Sequence, residues 1–141
     1  MNKKKLNNNG FSLVELIIVI AIMAVLVGVL APQYVRYVEK SKVSTDIQLA
    51  DSLKGAMEAA YIDPSITVNP GASGNISSVT GTLDAYWTDV MATMGVADGP
   101  ALNAKLKSKG AATSGLSYTF DSTTGAITVS FTHDGTTETV Q

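Results

Sequence analysis

From Leu13 to Ala31 the chain is apolar at every position except Glu15 and Gly28. A helix over that run is long enough to cross a bilayer core of about 30 Å. Such a surface is apolar all round and needs lipid or other protein against it, because a single small domain has too little core to bury it. Hydrophobic residues make up 45% of the 141-residue chain, and they are unevenly spread. Ala111 to Gln141 is dominated by serine, threonine and glycine, with a few alternating hydrophobics. The first part is suited to lipid, the last to water.

Ahead of the run, Met1 to Gly10 holds three lysines, four asparagines and a closing glycine. Basic residues before an apolar stretch have the layout of an export signal, but this stretch is longer than a signal core needs. The nearest small-residue cleavage pattern, Val29-Leu30-Ala31, would leave Pro32 directly after the cut. An uncleaved membrane anchor accounts for the length and leaves Glu15 unexplained. A carboxylate inside a membrane helix costs at least a few kcal/mol unless paired or protonated, so it marks function. Cleavage between Gly10 and Phe11 would create a charged α-amino group one helical turn before Glu15, at i and i+4 on one face. That amine, the free N–H groups of the first turn, or the new N-terminus of a neighbouring chain could each neutralise the acid.

Lys3 to Lys5, the segment Gly10-Phe11-Ser12-Leu13-Val14-Glu15 and the apolar run together resemble the class III signal of type IV prepilins. The resemblance implies cleavage after Gly10 and N-methylation of Phe11 by a prepilin peptidase/methyltransferase. It also implies a role for Glu15 in registering each subunit on the next, an inner-membrane assembly platform as partner, and self-association into a homopolymer or mixed pilin filament. It further implies a cytoplasmic leader, a single-pass membrane precursor and, after assembly, a pilus on the bacterial cell surface. Charge counting does not set the orientation, because Lys3, Lys4 and Lys5 are balanced by Arg36, Lys40 and Lys42 beyond the span.

The expected domain plan is a leader over 1–10, a membrane or filament-core helix over 11–31, an amphipathic continuation of that helix over 32–62 and a head over 63–141. The expected fold class is α+β, with the amphipathic half of the helix packed on an antiparallel meander. Pro32 lacks the N–H that would bond the Gly28 carbonyl, and Gly28 has low helix propensity, so Gly28 to Pro32 should bend readily. The family resemblance implies local stretching of residues 24–31 in the fibre. Beyond it, Val43, Ile47, Ala50, Leu53 or Lys54, Met57 and Ala60 or Tyr61 form an apolar stripe opposite Asp46, Asp51 and Glu58, and Asp63-Pro64 ends the helix.

In the head, Ser65 to Gly81 is expected as a connecting loop. Leu83 to Met94 has helical spacing, with Thr82 as N-cap and Gly95 as terminator. A second helix is expected from Pro100 to Gly110, with Lys105, Lys107 and Lys109 favouring its C-terminal dipole; a basic adhesive patch is the functional alternative. Leu116, Tyr118 and Phe120, then Ile127, Val129 and Phe131, alternate as two strands about the Asp121–Gly125 turn, and a hairpin at His133-Asp134-Gly135 leads into Thr136 to Val140.

Nothing in this composition points to catalysis. There is no cysteine and one histidine, His133, expected as a solvated turn residue, so no nucleophilic or transition-metal constellation can be assembled. Asp98-Gly99 and Asp121 could lend oxygens to a calcium ion, but both are expected to be turns, so no metal or cofactor is expected. Net charge is −2, and −5 without the leader lysines, which disfavours nucleic acid as a partner. The reading is a type IV pilus subunit, major or minor, serving adhesion, motility or DNA uptake. The alternatives are a pseudopilin of a type II secretion or competence system and a non-polymerising single-pass anchored binding domain.

Overall fold

The computed structural model describes residues 10–67 and 70–141; Lys3, Lys4 and Lys5 of the expected leader lie outside the described residues. The chain divides into two units, with the boundary between Tyr37 and Val38. Helix α1, Leu13–Ile62, runs through both. Its end at Ile62 is the one expected from Asp63-Pro64, and Asp63 accepts a hydrogen bond from the Ser65 N–H at 2.8 Å in the turn that follows.

In the first unit α1 is bare. Every large hydrophobic from Leu13 to Leu30 is exposed. The second unit closes around the other half of α1, which contributes Ala50, Leu53, Ala56, Met57 and Ala60 to a fully formed core. Four antiparallel strands cover it in the order β1 (Ser73–Asn75), β2 (Leu116–Phe120), β3 (Ile127–His133) and β4 (Thr136–Val140). Leu116, Tyr118 and Phe120 and the opposing Ile127, Val129 and Phe131 all point inward, the alternation a half-buried sheet requires. Asp134 and Gly135 both have positive φ, 43° and 79°, which gives the two-residue turn between β3 and β4 the twist that hairpins favour.

Three short helices fill the connection between β1 and β2. Helix α2, Ala85–Thr93, buries Tyr86, Trp87, Val90 and Met91. Helix α3 is Gly99–Asn103 and α4 is Ala111–Ser114. The Tyr86 hydroxyl donates to the Met57 carbonyl of α1 at 2.8 Å, and the Trp87 and Tyr118 rings stand 5.1 Å apart, so α2 is fastened to helix and sheet together.

Several expectations change in the head. Ser65 to Gly81 is not all loop: β1 pairs with β2 through Gly74↔Tyr118, and Asn75 accepts from the Ser77 N–H at 2.8 Å to start a 3₁₀ turn over Ile76–Ser78 that buries Ile76. Polar composition hid a strand too short to show a period. The cap of α2 is Asp84, not Thr82, with its carboxylate accepting from Trp87 N–H at 2.9 Å. His133 ends β3, half-buried, with Nε2 3.4 Å from Glu138 Oε1, and is not a free turn residue.

The largest correction concerns Asp46 and the lysines. Asp46 is fully buried, whereas Ile47, expected on the stripe, is exposed. The Asp46 carboxylate accepts from Lys107 N–H (2.9 Å), Ser108 N–H (2.7 Å) and the Ser108 hydroxyl (2.5 Å). About two turns earlier on α1, Glu39 accepts from Lys109 N–H. The backbone donors that a helix through Gly110 would need are thus taken by two acids of α1, and α3 stops at Asn103. The segment beyond it is a run of turns, with Leu106 and Ser108 buried and Lys105, Lys107 and Lys109 exposed.

Replacing Asp46 by alanine would orphan three donors, two of them on the buried Ser108. The expected loss is about 3 kcal/mol, measured by thermal unfolding of the full chain in detergent, with faster hydrogen exchange at Lys107 and Ser108. Burial also pushes the Tyr86 phenol far above its ordinary value. The folded state then holds a proton that the unfolded chain releases above about pH 10, so stability should fall as pH rises beyond that point. Tyr86→Phe should flatten that alkaline loss in a pH series of melting temperatures.

Candidate functional site

The first turn of α1 is built by a short local pattern. Ser12 is the cap: its hydroxyl accepts from Val14 N–H at 3.3 Å, and its carbonyl accepts from Leu16 N–H at 3.2 Å. Glu15, three residues on, reaches back so that Oε2 accepts from Ser12 N–H at 2.9 Å. This reciprocal Ser-x-x-Glu arrangement satisfies two donors that the helix itself leaves unbonded. The acid in the apolar run therefore sits at the positive end of the helix, its carboxylate on an N–H one residue along from the nitrogen that cleavage after Gly10 would free. Ser12 was not singled out in the sequence, although the Ser-x-x-Glu spacing was there to be read.

Among the described residues this turn is open: a Cβ on Gly10 would meet nothing within 4 Å, and Phe11 is 90% exposed. Gly28 is equally open, and Pro32 lies inside α1, which stays helical through it. The structure thus brings Glu15 to the Ser12 end of the helix and leaves Gly28 and Pro32 four residues apart on one helix, well beyond the first turn. Past the proline, Tyr34 and Tyr37 are exposed among Gln33, Arg36 and Lys40, the mixture of aromatic rings and charge that suits a membrane–water interface.

Asp98 and Asp121, the acids with oxygens to offer calcium, are occupied by backbone N–H groups. Asp98 caps α3 by accepting from Ala101 N–H at 2.9 Å. Asp121 accepts from Thr123 and Thr124 N–H, and those bonds hold its carboxyl below the usual carboxylate range. Among the described residues no group of three metal-ligating side chains forms.

The described residues thus combine a helix long and apolar enough to cross a membrane, with a capped acid in its first turn, and a small α+β head. The family profile described as the prokaryotic N-terminal methylation motif matches residues 5–31. The chain is 31% identical over 103 residues to the fimbrial protein EcpC of Eikenella corrodens, covering 73% of this chain and 65% of that protein. It is 34% identical over 87 residues to the type IV major pilin protein PilE of Neisseria gonorrhoeae, covering 62% and 52%. A probable minor fimbrial protein of Dichelobacter nodosus is 38% identical over 65 residues, covering 46% and 41%. No solved structure gives a significant match.

The chain is type IV pilin-like and carries the prokaryotic N-terminal methylation motif. Its relatives are named as pilin and fimbrial proteins. The aligned part spans between about two fifths and two thirds of their lengths. The longest of these alignments exceeds the stretch ending at Ile62, so the likeness extends past the helix into the head.

Proposed function

We propose that this chain is a subunit of a type IV pilus, held in the membrane by α1 before assembly and packed through the same helix afterwards. One observation carries the reading: the apolar half of α1 is uncovered from Leu13 to Leu30 while the head closes its own core. A continuous apolar surface of that size needs a partner, and lipid and a second copy of the same helix satisfy it equally. Exchange of one for the other is then inexpensive.

Processing begins at Gly10, whose open surroundings admit a peptidase, and leaves Phe11 as the N-methylated start. The new amine is positive, and Glu15 is the acid nearest to it in the chain. In the free subunit the carboxylate is held by Ser12 N–H. In the fibre it meets the amine of the neighbouring subunit, where the pair is shielded from water and each charge offsets the other's desolvation. An acid without that partner would be left unpaired among apolar helices, so incorrect registers are penalised. A prepilin peptidase/methyltransferase and an inner-membrane assembly platform are the partners this route requires; no cofactor enters it. The head, polar outside and closed inside, serves adhesion, motility or DNA uptake at the cell surface.

Mass spectrometry of the mature protein should find N-methyl-Phe11 at its start, with the chain present in sheared surface fibres. Glu15→Val should leave cleavage intact and abolish the fibres; an intact Met1 with no fibres would overturn the proposal. Gly28 and Pro32 add a second expectation. The Gly28 carbonyl has no amide donor at position 32, so the turn between them is the least costly place to lengthen the helix. A filament map should show residues 24–31 partly extended, where the free subunit has helix.

A further inference from the structure

The head is acidic as a whole, yet its lysines are gathered at one end. Between Val38 and Gln141 there are eleven acids and six lysines, a net charge of −5. Five of those lysines belong to two segments, Lys40 and Lys42 on α1 and Lys105, Lys107 and Lys109 in the stretch after α3. The carboxylates of Glu39 and Asp46 hold these segments together by accepting from Lys107, Ser108 and Lys109 N–H.

The acids among them are largely consumed. Asp46 is fully buried, Glu39 is shared between Lys42 Nζ (3.5 Å) and Lys109 N–H, and Asp134 pairs with Lys109 Nζ at 2.9 Å. Lys40 and Lys107 are exposed and have no ion pair among the described residues. Five lysines thus face three acids in this region, whereas the rest of the head sets Lys54 alone against eight. Backbone bonding to α1, not a helix, is what turns Lys105, Lys107 and Lys109 outward together.

This positive end is also where the chain enters the head. Glu39 lies eight residues beyond Ala31, the last residue of the apolar run, and eight helical residues measure about 12 Å. The headgroup layer extends about 5 Å or more beyond the hydrocarbon, which leaves the edge within about one screening length of it, about 8 Å at physiological salt. We propose that in the membrane-held precursor this lysine edge docks on the headgroups of anionic phospholipids, while the acidic remainder of the head is repelled from the same surface. The tether supplies the effective concentration, so attraction that would be weak for a free head suffices. Each lysine brought near an anionic leaflet shifts such an equilibrium about fivefold. The inference rests on α1 anchoring the precursor in a bilayer.

The test uses the full chain in nanodiscs of phosphatidylcholine alone or of an equal mixture with phosphatidylglycerol, with spin label on the headgroups. The chain has no cysteine, so a single fluorophore can be placed by Ala104→Cys beside the lysine edge or by Ser65→Cys beyond the far end of α1. Quenching at position 104 should be several-fold stronger in the anionic discs and fall with added salt, with little change at 65. The triple variant Lys40→Gln, Lys42→Gln, Lys107→Gln should return position 104 to the zwitterionic level, and the matching arginine variant should restore it. Equal quenching in both lipids, or lipid dependence that survives the glutamine variant, would overturn the docking surface. So would capture of duplex DNA by zwitterionic discs in place of any lipid effect. Failure of the chain to co-purify with either disc would instead reject the membrane anchor itself.

Discussion

One helix has to satisfy two surroundings, and the rest of the molecule follows from how it does so. Up to Leu30 α1 is apolar on every side and bare; from Ala50 it presents a narrow apolar face to a closed core. The first half can be stable only against lipid or other helices, and the second only against its own sheet. No compact single domain reconciles those demands. The protein therefore remains an amphiphile, and the proposed exchange of bilayer for neighbouring helices rests on that property.

Charge on α1 is placed with the same economy. Glu15 completes a capping box at the start of the helix, where the unbonded N–H groups already favour an anion. Glu39 and Asp46 do for the head what a cap does for a helix, accepting backbone donors from a segment more than sixty residues away. The consequence reaches the surface, because a backbone drawn to α1 leaves every second side chain of Lys105 to Lys109 pointing outward. A buried acid thereby arranges an exposed basic edge.

The features legible in the sequence were those with a short period or a local partner. Alternation placed β2 and β3, Asp134-Gly135 placed the hairpin, and Asp63-Pro64 ended α1, since each depends on neighbours within a few residues. The Ser-x-x-Glu cap was as local and went unread beside the more conspicuous acid. Asp46 was hidden by its charge: its spacing places it on the face of Ala50, Leu53, Met57 and Ala60, and what the sequence does not display is the distant loop whose three donors let an acid be buried there. The short β1, with Gly74 at its centre, likewise exists because Tyr118 and its strand are there to pair with it.

By itself, then, the sequence determined that the chain carries a membrane-length helix with an acid in its first turn, that this helix continues amphipathically, and that a small antiparallel sheet follows. Those are properties of hydrophobic period and turn chemistry, which act over a few residues. Tertiary structure decided where α3 stops, which acid is buried and which way the lysines face. Each of those outcomes depends on backbone donors meeting an acceptor distant in sequence, and an unpaired buried group costs more than local helix propensity can return.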